Sequence, residues 1–252
     1  STSGPPQRAA DPPAIDRPVA PQSTAHVAAH VAARPSAPGL PAARRYNGRL
    51  PAKTRQLVVV TAPGWRSTHA TVRTYRRSAH GAWRLRSREP ARLGYGGLVR
   101  AGDRRQGTGT TPAGRFPITE SFGRKHDPGT ALPYVRVGPD HWWVQDRRSR
   151  YYNQLRRGAQ GGFARTSSGY NGSERLRSFG RQYDYVAVID FNRPSPVIGR
   201  GSGIFLHVTN GRPTAGCVAI ALPAMRSTLT WLDPAEHPRI VIGPRHWLRR
   251  HR

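Results

Sequence analysis

Gly203-Ile-Phe-Leu-His207-Val-Thr-Asn-Gly-Arg-Pro-Thr214-Ala-Gly216-Cys217-Val-Ala-Ile220 is the stretch on which the reading of this chain turns. Apolar residues around Ile204–Val208 form a strand that carries His207. Asn210, Gly211 and Pro213 then make a turn-rich loop, and a step of small residues presents Cys217. Cys217 is the only cysteine in 252 residues, so no disulfide can form within the chain. Its sulfur is a small core hydrophobe, a bystander or a nucleophile. The surroundings favour the nucleophile. Thiolate chemistry needs a base or cation to lower the thiol's pKa, and backbone donors where an oxyanion would form. His207 can supply the base, and Gly216 lets substrate and backbone approach closely.

The helix signal follows Cys217: Pro223 suits a first helical position, and Met225, Leu229 and Leu232 repeat at i, i+4 and i+7. Asp233-Pro234 ends it, and Ile240-Val-Ile242 reads as a closing strand. Upstream, Leu57–Ala62 and Tyr185–Ile189 are apolar strands. Thr71–Tyr75 and Ala82–Arg86 alternate apolar and basic residues around Ser78-Ala-His-Gly81, a hairpin with one wet face. Arg115–Ile118 follows a Gly/Thr-rich loop. Tyr134–Val137 and His141–Val144 flank Gly138-Pro-Asp140, which predicts a second hairpin. Trp142 and Trp143 point to opposite faces of their strand, so at most one faces a cleft. Residues 147–183 read as irregular. Gly107, Gly109 and Gly114 lack the Gly-Lys-Ser/Thr of a phosphate loop and read as turn and strand-entry glycines. Many short strands and one amphipathic helix predict a mostly-β domain over residues 49–246.

Residues 1–48 are dominated by Pro, Ala, Ser and Arg, and cannot bury enough apolar surface to offset the entropy of ordering. They read as a flexible tether, and residues 247–252 as a basic tail. His26-Val-Ala-Ala-His30 has the spacing of a helical metal pair but lacks the intervening Glu, so no metal role is expected there. No stretch approaches the roughly 18 apolar residues of a membrane span. No charged-then-apolar leader follows Ser1, so an export signal is expected to be absent or already removed.

Net charge is +28, and Lys53 and Lys125 are the only lysines among 41 Lys and Arg. Such a balance predicts attraction to polyanions, whether nucleic acid, anionic cell-wall polymer or acidic lipid. The arginine bias is also what a GC-rich genome would produce. No RRM-like signature occurs and one cysteine permits no zinc-finger spacing, so nucleic acid is not the expected partner.

On three motifs the chain resembles the catalytic domain of bacterial L,D-transpeptidases, the YkuD-like fold. His207 followed by Thr214-Ala215-Gly216-Cys217 matches the family's histidine strand and Ser/Thr-x-Gly-Cys turn. Thr111-Pro112-Ala-Gly114-Arg-Phe116 is similar to its strand entry. Trp143-Val-Gln-Asp146 with Tyr151-Tyr152-Asn153 is similar to a segment lining the site in secreted actinobacterial members. Together these cover about residues 57–243. The resemblance implies a mixed β-sandwich or barrel with one helix after the catalytic cysteine, no cofactor and no metal. It also implies an exported cysteine acyltransferase of the cell envelope, acting on peptidoglycan stem peptides through a thioester and acylated by carbapenem-type inhibitors. The acyl acceptor is an amine or water. In that scheme Cys217 is the nucleophile, His207 the base, and the Gly216 and Cys217 N–H groups hold the oxyanion. Thr214, Asn210, Trp143 and Tyr152 are the candidate substrate contacts, although Thr214 could instead donate its hydroxyl to His207 or simply make a turn, and Asn210-Gly211 on its own reads as a turn pair. The chain departs from many members at Ala215 and Ala219, where His and Arg are frequent, and in a shorter His-to-Cys gap. The alternative is a non-catalytic basic module that binds anionic cell-wall polymer or nucleic acid and is indifferent to Cys217.

Overall fold

The computed structural model describes residues 50–169 and 171–250. The N-terminal stretch read as a tether, its His26/His30 pair, and His251 and Arg252 lie outside the described residues. Strands dominate, as β-branched runs such as Val58-Val-Val60 and Val186-Ala-Val-Ile189 favour. In chain order they are β1 (Gln56–Ala62), β2 (His69–Arg77), β3 (Trp83–Arg92), β4 (Leu98–Arg100) and β5 (Thr111–Gly123). Next come β6 (Tyr134–Arg136), β7 (His141–Trp143), β8 (Leu155–Arg157) and β9 (Glu174–Arg175). The series ends with β10 (Val186–Ile189), β11 (Phe205–Val208), β12 (Val218–Ile220) and β13 (Arg239–Pro244). Among the described residues two α-helices are present, α1 (Leu222–Trp231) and α2 (Arg245–Arg250). The fold is mostly β, as expected.

The main sheet runs β10-β11-β12-β3-β2-β1-β13-β5, and β10 also pairs with β5, so eight strands close on themselves. Closure leaves these strands without a free edge for a foreign chain to pair with. The β11–β12 and β1–β13 pairs are parallel; β2–β3 is the antiparallel hairpin that alternation predicted, with a register shift at Thr74/Tyr75. α1 begins with Pro in its first turn and turns Met225 and Leu229 inward, next to the buried Leu232 that follows it. The residues read as a tail begin inside α2. Leu248 is buried there and Trp247 packs against the core, because both side chains are apolar and the helix lies on β13.

The second predicted hairpin does not form. β6 instead pairs in parallel with the end of β5, with Ser121 opposite Tyr134. β7 joins β8 and β9 in a separate three-stranded sheet. Gly138-Pro-Asp140 does reverse the chain, and Gly138 N–H donates to His141 Nδ1 at 2.9 Å. A turn signal states where the chain bends, not which strand it then joins. Residues 147–183, read as irregular, also contribute β8, β9 and 3₁₀ turns at Gly158–Gln160 and Leu176–Tyr183.

Side-chain alternation positions the site. On β11, Leu206 and Val208 enter the core beneath α1, while Phe205 joins a second cluster with Phe122, Trp143, Tyr183 and Cys217. His207 therefore shares the Phe205 face. On β12, Val218 and Ile220 enter the first core, which puts Cys217 on the same side as His207.

Candidate active site

The parallel β11–β12 register sets Leu206 opposite Val218 and His207 opposite Ala219. Cys217, one step earlier, lies beside Phe205, whose N–H donates to its Sγ at 3.4 Å, while the thiol points to Gly203 O at 3.5 Å. Cys217 and His207 are thus diagonal neighbours on one face of two adjacent strands, and both line a cleft of about 580 Å³. Tyr95, Arg104, Gln106, Gln145, Glu174, Tyr183, Ser202 and Thr214 line it with them.

His207 Nδ1 lies 2.9 Å from the Val208 carbonyl oxygen. A carbonyl only accepts, so Nδ1 carries the proton and Nε2 is left as the basic ring atom. Tyr183 holds the ring edge-to-face at 5.4 Å between centroids. The Val208 carbonyl, in place of an Asp or Asn side chain, orients the imidazole. Burial pushes its pKa down to about 4, against a partial opposing pull from the carbonyls of Val208 and Gln182. Burial likewise pushes the Cys217 thiol up to about 12; Glu174 adds to the rise, while the Phe205 N–H and Arg104 oppose it. The resting pair is a neutral thiol beside a neutral imidazole.

Gly216 has φ 136, and a Cβ there would stand 2.8 Å from Arg104 Nη2 and 2.9 Å from Thr110 O. Glycine is required by both conformation and space. The turn is closed by Thr214, whose Oγ1 accepts from Gly216 N–H at 3.1 Å and donates to Cys217 O at 2.7 Å. The Gly216 N–H, expected to hold an oxyanion, already has this partner. Thr214 reaches the cleft, but its hydroxyl serves the turn.

Three other expected contacts lie elsewhere. Trp143 is 0 % exposed, packed on Phe205 at 4.8 Å, and its Nε1 donates to Asn153 Oδ1 at 3.0 Å. Both tryptophans of the pair are buried: Trp142 packs on Phe163 instead of facing a cleft. Tyr152 is 1 % exposed, and its hydroxyl joins Gln106 Oε1 and Gly201 N–H beneath the cleft wall. Asn210 is exposed at a neighbouring groove and accepts from Arg212 N–H at 3.0 Å, as a turn residue does. In each case a polar atom is satisfied by the fold before any ligand arrives.

Two residues that the motifs did not single out stand at the cleft instead, Arg104 and Glu174. Glu174 begins β9; its carboxylate oxygens accept from Tyr183 Oη at 2.6 Å and Gln145 Nε2 at 3.0 Å. Burial lifts its pKa to about 7, partly offset by those two hydrogen bonds. Once ionised, it opposes a thiolate at Cys217. Glu174→Gln retains two hydrogen-bonding partners and removes the charge. The pH midpoint for alkylation of Cys217 by iodoacetamide is therefore expected to move down. An unchanged midpoint would mean that the sulfur does not feel this carboxylate. Among the described residues no group of three His, Cys, Asp or Glu could hold a metal, and no helix is long and apolar enough to cross a membrane.

The family model of the L,D-transpeptidase catalytic domain (YkuD) matches residues 57–242. Neither a curated protein nor a solved structure matches the chain.

Proposed function

The chain belongs to the L,D-transpeptidase catalytic-domain (YkuD) family, and we propose that it is a cell-envelope cysteine acyltransferase that takes peptidoglycan stem peptides through a thioester. The observation that carries this reading is the cleft in which Cys217 and His207 share one sheet face, with the imidazole held by its Nδ1–H so that Nε2 is basic. In the first half-reaction Sγ attacks the amide carbonyl carbon while its proton passes to His207 Nε2. The tetrahedral oxyanion collapses, the C–N bond breaks, and the imidazolium returns the proton to the leaving amine. The acyl group is then a thioester on Cys217. In the second half an incoming amine, or water, loses its proton to His207, attacks that carbonyl and releases the thiol.

The Cys217 N–H is the donor this reading assigns to the oxyanion, since Gly216 N–H faces Thr214 Oγ1. Losing one such donor typically costs roughly 3 kcal/mol of transition-state stabilisation. A neutral resting pair suits this sequence. Substrate that fills the cleft excludes water, and proton transfer to the imidazole occurs as the carbon–sulfur bond forms.

The test is intact-mass spectrometry of the protein with a tetrapeptide stem and, separately, with a carbapenem. The expected result is an acyl adduct mapping to the Cys217 peptide, with release of one terminal amino acid from the stem. A Cys217 that iodoacetamide alkylates freely but that neither reagent acylates would overturn the reading.

A further inference from the structure

Arg104 is a buried cation with no anion beside it. It follows the 3₁₀ turn Ala101–Asp103 and is 3 % exposed. Among the described residues no carboxylate lies within ion-pair distance of it. Its Nε donates to Thr110 O at 2.8 Å and Nη1 to Arg200 O at 3.2 Å, and the guanidinium carbon sits 5.6 Å from the Phe191 ring centroid. These contacts fix its plane and direction without neutralising it. Burying a charge in this way is costly unless something pairs with it, the more so in a chain of net charge +28. Burial accordingly pulls its pKa down from the usual arginine value, although guanidinium stays protonated in proteins.

The remaining nitrogen, Nη2, lies against the peptide that precedes the sulfur, since a Cβ on Gly216 would stand 2.8 Å from it. Arg104 and Cys217 line the same cleft. The sulfur does not serve as the missing anion, because its thiol is held protonated. The cleft thus presents a fixed guanidinium whose remaining nitrogen, Nη2, lies beside the peptide that precedes the sulfur, and a charge-assisted N–H donor of this kind binds carboxylates.

We infer that Arg104 is the carboxylate-binding residue of this cleft: it takes a free carboxylate of the acyl donor and restricts donors to peptides with an anion close to the scissile amide. This rests on the reading of Cys217 as the nucleophile. Two carboxylates of a donor peptide fit, the terminal one on the leaving residue and a side-chain one on the acyl residue. They share the same chemistry at Arg104.

The test compares alkylation of Cys217 by iodoacetate and by iodoacetamide, which share a leaving group and differ in one carboxylate. The proteins are the wild-type chain, Arg104→Met, Arg104→Lys and Arg84→Gln. Arg84 is exposed on β3, so the last variant removes one charge away from the cleft. The iodoacetate-to-iodoacetamide rate ratio is expected to fall about tenfold in Arg104→Met, the scale of one charge-assisted hydrogen bond. Arg104→Lys should restore part of it, and Arg84→Gln should leave it unchanged. An equal ratio in wild type and Arg104→Met, or an equal slowing of both reagents, overturns the inference.

The wild-type chain supplies a second measurement should Arg104→Met fail to fold. Propionate should protect Cys217 from iodoacetamide where propionamide does not, and the absence of that difference is equally fatal. Stem peptides amidated at the terminus or at the side chain then identify which carboxylate is bound. Because alkylation requires no acyl transfer, anion selectivity without acylation would leave the carboxylate site standing and remove only the transpeptidase reading.

Discussion

Cys217→Ala is expected to abolish acyl transfer, with amino-acid release from a stem peptide falling on the order of 10⁴-fold or more. In the proposed reaction the sulfur carries the acyl group, and no second cysteine exists in the chain to replace it. Stability should hardly change. The thiol makes two long contacts, from Phe205 N–H at 3.4 Å and toward Gly203 O at 3.5 Å, and its loss removes one small atom from the aromatic cluster. A shift below about 1.5 kcal/mol is the scale for so small a change in core volume. Turnover and thermal melting, measured on the same preparation, separate the two effects. Turnover within tenfold of wild type would remove Cys217 from the chemistry.

His207→Gln is expected to lower kcat/KM by ~10²–10⁴, the usual value of a positioned general base. Its pH profile is the sharper readout. Burial holds the imidazole pKa at about 4, below the 6.5 of an ordinary histidine, so the neutral base persists into acid solution. The acid limb of kcat/KM in the wild-type chain should therefore fall near pH 4 and be missing in the variant. Stability follows the same linkage. A histidine whose folded pKa is depressed contributes stability that is present above its unfolded pKa and lost as pH falls toward the folded one. The wild-type chain should lose stability between about pH 6.5 and 4 through this residue, and His207→Gln should not. An acid limb that stays near pH 6.5 would mean that solvent reaches the ring freely, contrary to its 3 % exposure.

The parts of the fold and site that could be read from the chain were those written in local patterns. Alternation in residues 71–75 and 82–86 identified the β2–β3 hairpin, and Pro223 with Met225 and Leu229 identified α1. His207 and Cys217 were legible because a strand, a turn and a small-residue step are each short-range signals. Pairing was not legible in the same way. Tyr134–Arg136 chose the end of β5 over its sequence neighbour β7, a competition between distant segments that no local pattern encodes. Trp143 and Tyr152 carry the aromatic character of a cleft wall, yet their polar atoms found partners inside the fold. Arg104 was hidden for the opposite reason: in a chain with 41 Lys and Arg, one buried guanidinium has no distinguishing neighbours in sequence. Glu174 stands 43 positions before Cys217, in a segment without periodicity, and only the three-stranded sheet brings it to the sulfur's cleft.

Thr214 has both backbone polar groups occupied as well as its hydroxyl. Its N–H donates to Leu93 O and its carbonyl accepts from Tyr95 N–H, each at 2.8 Å, across an isolated bridge to Gly94. The chain just beyond that bridge is in turn bonded to the far end of the arginine-bearing loop, Gly96 N–H to Gly109 O and Thr111 N–H to Gly97 O. One continuous run of backbone hydrogen bonds therefore ties the cysteine turn to residues 93–97 and these to the end of the loop that bears Arg104.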